Sequence, residues 1–373
     1  MKRSLKLIFI TIALFFASNA FCQTFDIYVS DAGDFSNPSL YKIYKFDENG
    51  ENGEVFIDEQ LSWPQDIVFL EDQGILLISN LNTNNITKYD ADQGSYLGEF
   101  ATGISGPTRM KIGVDSLLYV LQWTGNGLVK RYELDGTFVD DFTNMGVAQS
   151  IGLDWDSEGN LYVSTYTGNL VRKFDTNGDH VGVFINSSLQ GPTNIWFDDT
   201  GDLLACNWNG TTVKRFDTEG NYVEDFITGL SNPEGIAIYP NGNILIGNGG
   251  TGAVKLFDED GNYIEDFIES GAGGLLFPNA VVLRKRTPVS VSQFDREVDF
   301  IQPTIGTEFF LNPLGSQNIE SVEIYNMSGI LIEKKTVTND QIWNAANSPE
   351  GAYIIVAKSF SGHQFTQKVI VQK

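Results

Sequence analysis

Cysteine and histidine are scarce in this chain of 373 residues, which has two of each. Cys22 lies in the apolar N-terminal segment, so the exported chain would keep Cys206 alone, and no internal disulfide is predicted. His180 falls in a predicted turn and His363 near the C-terminus, so we do not expect a Ser-His-Asp hydrolase arrangement. Stability must therefore come from the packing of apolar residues, which make up 42% of the chain.

Long hydrophobic runs are also lacking beyond the N-terminus. There, Lys2, Arg3 and Lys6 precede a short, largely apolar run that ends in small residues. This order is typical of a secretory signal peptide, and we assign residues 1–22 to it. No later segment is long and apolar enough to be predicted as a transmembrane helix.

Positive charge is the third scarcity. The chain has 24 lysine and arginine residues against 48 aspartate and glutamate residues, and its formal net charge is −24. Such an acidic surface repels nucleic acid and anionic lipid, so neither is expected as a partner. Charge alone does not predict a cation site, because a site needs clustered ligands.

A repeated phrase is the strongest positive signal in the sequence. It begins at Trp63, Pro107, Ala148, Pro192 and Pro233, and a partial copy begins at Pro278. Counted from Pro64, the steps are 43, 41, 44, 41 and 45 residues. Each copy holds four short apolar runs separated by Gly, Asn and Asp, as hairpins require. Four strands in about 40 to 45 residues is the period of a β-propeller blade.

The two ends of the repeat region predict how it closes. Residues 25–63 offer three strands that match the second, third and fourth of a blade, and Pro278 begins one that matches the first. Joined, they would form a composite blade and leave no frayed edge. We therefore predict an all-β fold, with a six-bladed β-propeller over residues 23–286 followed by a small C-terminal β-sandwich.

The phrase P-x-G-I-A, then D-x-x-G-x-L-Y-V, then V-x-x-F-D-x-x-G resembles NHL-repeat propellers. More loosely, it is similar to the gluconolactonase family related to senescence marker protein. The resemblance covers residues 25–286 and implies architecture more than activity. The glycine-histidine and tryptophan-aspartate signatures of WD repeats do not recur from one copy to the next.

The C-terminal region has a different character. Residues 287–300 are predicted as a linker, and residues 301–373 alternate apolar and polar residues in short strands, as a small β-sandwich does. Leu311-Asn312-Pro313, the segment IYNMSG, the segment PEGAYII and the basic C-terminal end resemble, in order, the C-terminal sorting domain of type IX secretion systems. The resemblance implies the type IX machinery as a partner and a secreted or cell-surface location. A second binding sandwich without a sorting role remains the alternative.

Candidate ligand-binding residues come from the propeller geometry. The first strand of each blade lines the central channel, and the loops between second and third strands share one face with the residues that begin the first strand. This geometry predicts a ligand-binding set of Gln65, Asp66, Arg109, Trp123, Gln149, Tyr166, Asn194, Trp208, Glu234 and Asn279. The ligand would be a glycan, a peptide or a small molecule, and we expect a monomer. The structural alternative is that these polar groups satisfy backbone groups and that the aromatics pack between blades.

A metal site is implied by the gluconolactonase resemblance alone. That family holds a divalent metal in the channel, which makes Glu234, Asn279 and Asn194 candidate ligands for calcium or zinc. Glu234 stands where the family has an asparagine, and Ser62-Trp63-Pro64-Gln65 stands where it has Glu-Gly-Pro. Three functions remain open: a secreted binding propeller, which we favour, a metal-dependent lactonase or hydrolase, and a purely structural surface protein.

Overall fold

The computed structural model describes residues 24–286, 300–311, 319–327, 329–338, 341–359 and 364–373. The chain divides into two compact units, with the boundary between Arg286 and Thr287. The predicted signal peptide, residues 287–299 of the predicted linker, Asn312-Pro313 and His363 lie outside the described residues. Among the described residues, no helix is long and apolar enough to span a membrane.

Twenty-four strands of the first unit form six four-stranded antiparallel sheets among the residues described. Sheet VI contains β1 (Phe25–Asp31), β2 (Lys42–Phe46) and β3 (Glu54–Ile57), joined later by β24. Sheet I contains β4 (Pro64–Leu70), β5 (Ile75–Asn80), β6 (Asn85–Asp90) and β7 (Tyr96–Thr102). Sheet II contains β8 (Pro107–Ile112), β9 (Leu118–Gln122), β10 (Lys130–Tyr132) and β11 (Phe138–Asp141).

The remaining sheets repeat the same order along the chain. Sheet III contains β12 (Ser150–Trp155), β13 (Leu161–Thr165), β14 (Leu170–Phe174) and β15 (His180–Ile185). Sheet IV contains β16 (Pro192–Phe197), β17 (Leu203–Asn207), β18 (Thr212–Phe216) and β19 (Tyr222–Ile227). Sheet V contains β20 (Pro233–Ile238), β21 (Ile244–Asn248), β22 (Ala253–Phe257) and β23 (Tyr263–Ile268). The last strand of the unit, β24 (Pro278–Lys285), pairs antiparallel with β1 in sheet VI. Short 3₁₀ turns cover Pro38–Leu40, Glu71–Gln73 and Ala272–Gly274.

Burial follows the strand position within each sheet. The second strands are nearly wholly buried, whereas the fourth strand of sheet IV is exposed over its first four residues. Six apolar clusters each combine residues of two neighbouring sheets, and one of them joins Tyr28 of sheet VI to Ile78 of sheet I. The first strands β4, β8, β12, β16, β20 and β24 contact one another in that order, and β24 contacts β4. Packing between sheets is thus the main source of stabilisation in this unit.

Sheet III corrects the predicted repeat alignment. Ser150 pairs with Thr165 and Leu153 with Val163, in the way that Pro192 pairs with Asn207 and Ile195 with Ala205 in sheet IV. The first strand of sheet III therefore begins two residues later than the predicted start at Ala148. The reason is that this sheet alone has no proline at its first position, so the sequence offered no marker there.

The second unit contains a three-stranded and a five-stranded sheet. The smaller consists of β25 (Ile301–Gln302), β27 (Glu308–Leu311) and β30 (Gln341–Asn344). The larger consists of β26 (Ile305–Gly306), β28 (Ile319–Asn326), β29 (Leu331–Thr336), β31 (Gly351–Ser359) and β32 (Gln364–Val371). Phe309 and Trp343 of the first and Ile324 and Ile355 of the second belong to one buried core. The unit is thus built from two sheets over a shared apolar centre.

Candidate functional site

The second residue of each first strand lies at an equivalent, nearly buried position. These residues are 6% exposed or less: Gln65, Thr108, Ile151, Thr193, Glu234 and Asn279. The third residues form a second equivalent set: Asp66, Arg109, Gly152, Asn194, Gly235 and Ala280. A Cβ at Gly235 would lie 2.8 Å from the backbone nitrogen of Val281, so only glycine allows sheets V and VI to approach this closely.

Three of the second-position side chains connect neighbouring sheets. The Thr108 hydroxyl donates to the Ser150 carbonyl (2.8 Å), and the Thr193 hydroxyl donates to the Pro233 carbonyl (3.0 Å). The Asn279 side-chain amide donates to the Pro64 carbonyl (3.0 Å). In each bond the acceptor is the first residue of the next sheet. These side chains therefore satisfy buried backbone groups, as the structural alternative requires.

Arg109 crosses from sheet II to three other sheets. Its Nη2 donates to Glu234 Oε1 (2.8 Å) and to the Asn279 carbonyl (2.8 Å), and its Nε donates to Asn194 Oδ1 (3.0 Å). Both side chains of the Arg109–Glu234 ion pair are 4% exposed. Removing either partner of such a buried pair destabilises the folded state, because the other charge would be left without compensation.

Burial controls the protonation of the carboxylates beside Arg109. It raises the pKa of Glu234 to about 7, against the lowering effect of Arg109, and the charge of Asp66 raises it further. Burial also raises the pKa of Asp66, while Arg109 and the backbone amides of Met110 and Ile67 lower it. Glu234 therefore changes protonation near neutral pH, although a guanidinium lies within hydrogen-bonding distance.

A cavity of about 260 Å³ opens above the second-position residues. We call it the aromatic cavity. Its walls combine five aromatic side chains with two aliphatic and four polar ones: Phe35, Trp63, Trp123, Tyr166, Trp208, Leu81, Ile151, Gln65, Thr193, Glu234 and Asn279. The rings form two walls. Trp123 and Tyr166 have centroids 5.7 Å apart, and Phe35 lies 5.1 Å from Trp63. All five rings are half-buried, so part of their surface faces the cavity.

The aromatic side chains come from paired positions in the repeat. The residue after each second strand donates its amide to the carbonyl of the residue before the first strand; Trp123 bonds Gly106 (2.7 Å) and Trp208 bonds Gly191 (3.0 Å). Where the residue before the strand is large, as at Trp63, its partner is smaller: the amide of Leu81 bonds the Trp63 carbonyl. Each pair thus contributes at most one large ring.

Sheet V supplies no ring of its own from these positions. A Cβ at Gly249 would lie 2.3 Å from the ring of Phe277, so Phe277 occupies the space that an aromatic residue fills elsewhere. Its ring contacts Trp208 (5.4 Å between centroids) and Phe35 (4.5 Å). Phe277 is not one of the lining residues, but its ring connects Phe35 and Trp208, two rings of the cavity wall.

Trp63 has a backbone conformation that its size disfavours. Its φ is +55°, and the equivalent residues in three other sheets are Gly106, Gly191 and Asn232, which tolerate the left-handed region. Gln149, the equivalent residue in sheet III, has a φ of +53°. Non-glycine residues in this region cost of order 1 kcal/mol or more and cluster at functional sites. The strain at Trp63 thus coincides with its place in the cavity wall.

Two side chains of the cavity wall have a buried polar atom without a hydrogen-bond partner. Among the described residues five such atoms occur: Trp63 Nε1 and Gln65 Oε1 belong to the cavity wall, and the other three belong to Arg109, Thr212 and Tyr239, which do not line it. Gln65 is 2% exposed and lines the aromatic cavity, as does Trp63. An unsatisfied buried polar group costs about 1–3 kcal/mol, so such groups call for an explanation.

The structure separates the ten predicted ligand-binding residues into three sets. Six line the aromatic cavity: Gln65, Trp123, Tyr166, Trp208, Glu234 and Asn279. Asp66, Arg109 and Asn194 instead line a separate cavity of about 380 Å³. Gln149 lines neither, because the register of sheet III places Ile151 at the second position, and its side chain accepts from the Thr167 hydroxyl.

Five residues of the cavity wall are missing from the predicted ligand-binding set: Phe35, Trp63, Leu81, Ile151 and Thr193. Trp63 and Leu81 occupy repeat positions that the alignment could have marked, and Ile151 was hidden by the register error in sheet III. Phe35 lies in the loop between β1 and β2, outside the repeat phrase, and no sequence signal pointed to it. At the turn that begins at Asp175, the carboxylate oxygen Oδ1 of Asp175 accepts from the amides of Asn177 and Asp179 (2.9 Å each), as in a hairpin turn.

The residues implied as metal ligands do not fit a divalent cation in this arrangement. Glu234 Oε1 and Asn194 Oδ1 both accept hydrogen bonds from Arg109, and the Asn279 amide donates to a carbonyl. A cation bound between these groups would face the guanidinium directly and be repelled. Among the described residues, no three His, Cys, Asp or Glu side chains are grouped to hold a metal ion. The metal assignment stays a prediction that the geometry does not favour.

The comparisons with known proteins match the two units separately. Residues 304–372 match the family described as a secretion system C-terminal sorting domain. A search of curated proteins found no match. The chain thus carries a sorting domain of the type IX secretion class, which implies export to the cell surface or release from the cell.

The solved structures show the fold of the first unit. A nidogen/laminin complex has 13% sequence identity and a TM-score of 0.57, and a protein of unknown function from Bacteroides caccae has 15% and 0.54. Each match covers 70% of this chain and 98% of the other. A gluconolactonase from Xanthomonas campestris has 16% identity, covers 55% of this chain and 76% of its own, and has a TM-score of 0.47, too low to carry an argument. The repeated four-stranded sheets are those of a β-propeller.

Proposed function

We propose that this protein is an exported six-bladed β-propeller that binds a small ligand in the aromatic cavity. The contact sequence of the first strands, which returns from β24 to β4, supports six blades in a closed ring. The apolar cluster between sheets VI and I supports the composite blade as the one that closes it. A closed ring holds the loops at its face in fixed positions, which is the usual scaffold for a binding site.

The proposal rests on two energetically unfavourable features at the cavity, a strained backbone and buried polar atoms without partners. Trp63 holds a left-handed backbone where most other sheets have glycine or asparagine, and it also has an unpartnered buried Nε1. Gln65, two residues later, has an unpartnered buried Oε1. Both residues line the aromatic cavity, and the ring surfaces would gain apolar contact with a bound ligand.

The lactonase alternative is less well supported by the same residues. Activity of that type depends on a channel metal, and Arg109 holds Glu234 and Asn194 where a metal would be coordinated. A purely structural role would explain the bonds of Thr108, Thr193 and Asn279 between sheets, but it gives no reason for a strained tryptophan in a cavity wall.

Two matched substitutions test ligand binding. Trp63→Gly removes a ring from the cavity and also relieves the left-handed strain, so the fold should be retained. Gln149→Gly relieves the same backbone strain outside the cavity. A panel of small fragments would be screened by ligand-detected NMR against both variants and the unmodified chain. We expect fragments that bind the unmodified chain and Gln149→Gly but not Trp63→Gly.

Loss of binding in both variants, or in neither, would show that the fragments bind elsewhere. The export proposal has a separate test, deletion of residues 287–373 followed by fractionation of cells and medium. We expect the truncated chain to remain in the periplasm. Unchanged export of the truncated propeller would refute the sorting role of the tail.

A further inference from the structure

We infer that the aromatic cavity takes a small organic ammonium cation with an apolar group attached, recognised by Glu234 and the surrounding rings. This inference rests on the proposed binding function and names the chemical class of its ligand. The class follows from the charge, the hydrogen-bonding groups and the size of the cavity.

Charge is the first argument. The described side chains that line the cavity include one carboxylate, Glu234, and no lysine, arginine or histidine. Arg109 bonds Glu234 Oε1 but is not part of the cavity wall. Asp66 and Arg109 line the separate cavity, so among the described residues Glu234 is the charged side chain that the aromatic cavity presents to a ligand. A ligand cation would compensate that charge in a site shielded from water.

The aromatic walls also favour a cationic ligand. A cation within about 6 Å of a ring face is attracted by the ring quadrupole, and the attraction is larger where water is excluded. Trp63, Trp123, Tyr166 and Trp208 bring the two most effective ring types to one cavity of about 260 Å³. Four such rings around a carboxylate would hold a cation from several sides and leave little room for an anion.

The hydrogen-bonding groups and the size of the cavity restrict the chemical class of the ligand further. The carboxylate of Glu234 is the charged acceptor among the lining side chains, which favours a ligand head group that donates. The volume lies slightly below the roughly 300–1,000 Å³ of sites for drug-sized ligands. A polymer or an oligosaccharide is therefore not expected to be enclosed. An alkyl or arylalkyl ammonium ion fits both conditions.

Three probes that share a phenethyl group and differ in their head group separate charge from shape: phenethylamine, phenethyl alcohol and hydrocinnamate. Each would be titrated calorimetrically into the unmodified chain at about pH 8 and low salt, where Glu234 is ionised and the amine is still protonated. We expect the ammonium probe to bind at least about tenfold more tightly than the alcohol, which corresponds to about 1.4 kcal/mol. The anionic probe should bind most weakly.

Two substitutions test whether Glu234 causes the preference for the ammonium probe. Glu234→Gln should reduce the preference for the ammonium probe over the alcohol by about tenfold or more, while the alcohol still binds. Glu224→Gln, which changes an exposed glutamate paired with Arg215, is the matched control and should leave the preference unchanged. If Glu234→Gln fails to fold, the comparison of the three probes on the unmodified chain still decides.

The outcomes distinguish the two proposals. Equal binding of alcohol and amine, lost in Trp63→Gly, would overturn the ammonium inference and leave the binding function standing. Tighter binding of hydrocinnamate would overturn it as well, and would indicate that Arg109 controls the site. Absence of binding by all three probes and by the fragment panel would overturn both.

Discussion

Glu234→Gln provides the sharpest test of the electrostatics, because it replaces a buried acid by a neutral group of the same shape. Burial raises the pKa of Glu234 from 4.5 to about 7 in the folded chain. A pKa difference of about 2.5 corresponds to about 3 kcal/mol, at 1.36 kcal/mol per pKa unit. Between pH 4.5 and 7 the folded state holds a proton that the unfolded state has lost, so this contribution to stability is full below pH 4.5 and is lost as pH rises through 7.

Glutamine has no proton to lose, and the variant should therefore lack this decline. The free energy of unfolding of the unmodified chain, minus that of the variant, should fall by about 3 kcal/mol between about pH 4.5 and pH 8. Other titrating groups occur in both proteins and largely cancel in the difference. Asp66 does so less completely, because its charge acts on Glu234.

Urea denaturation of the full chain, followed by tryptophan fluorescence, measures this difference. Five of the six tryptophans belong to the first unit, so the signal reports mainly on the propeller. Glu224→Gln is the matched control, since its exposed pair with Arg215 should contribute under about 1 kcal/mol. A difference between Glu234→Gln and the unmodified chain that stays constant across this pH range would refute the reasoning. It would mean that Arg109 outweighs burial and keeps Glu234 ionised throughout.

Three other measurements test separate parts of the propeller. The Cys206 thiol is fully buried in an apolar cluster and burial raises its pKa, so thiol reagents should modify it only after denaturation; modification of the native chain would contradict its placement. Calcium or zinc at millimolar concentration should leave the melting temperature unchanged, and a rise that disappears in Glu234→Gln would restore the metal assignment. Phe174→Ala should lower the free energy of unfolding by about 3–5 kcal/mol, because the ring is fully buried between sheets II and III; a loss under about 1 kcal/mol would show that the sheets repack around the gap.

The repeat made the strands of the first unit predictable, because hairpin turns and alternating burial are local properties. Proline marked the first position in five sheets, and where it was missing the alignment at Gln149 went wrong by two residues. Half of the aromatic cavity was predictable for the same reason, since Trp123, Tyr166 and Trp208 occupy repeat positions that face one side. Phe35 lies outside the repeat phrase and could not be placed.

The sequence by itself determined the all-β class, the four-strand period and the sorting character of the tail, because each depends on short-range patterns. Only the tertiary structure decided which side chains meet. Arg109 and Glu234 are 125 residues apart in the chain, and nothing in their local patterns indicates that the guanidinium bonds the carboxylate. Their contact depends on how the first strands of separate sheets converge, and it turns an apparent metal ligand into one half of a buried ion pair.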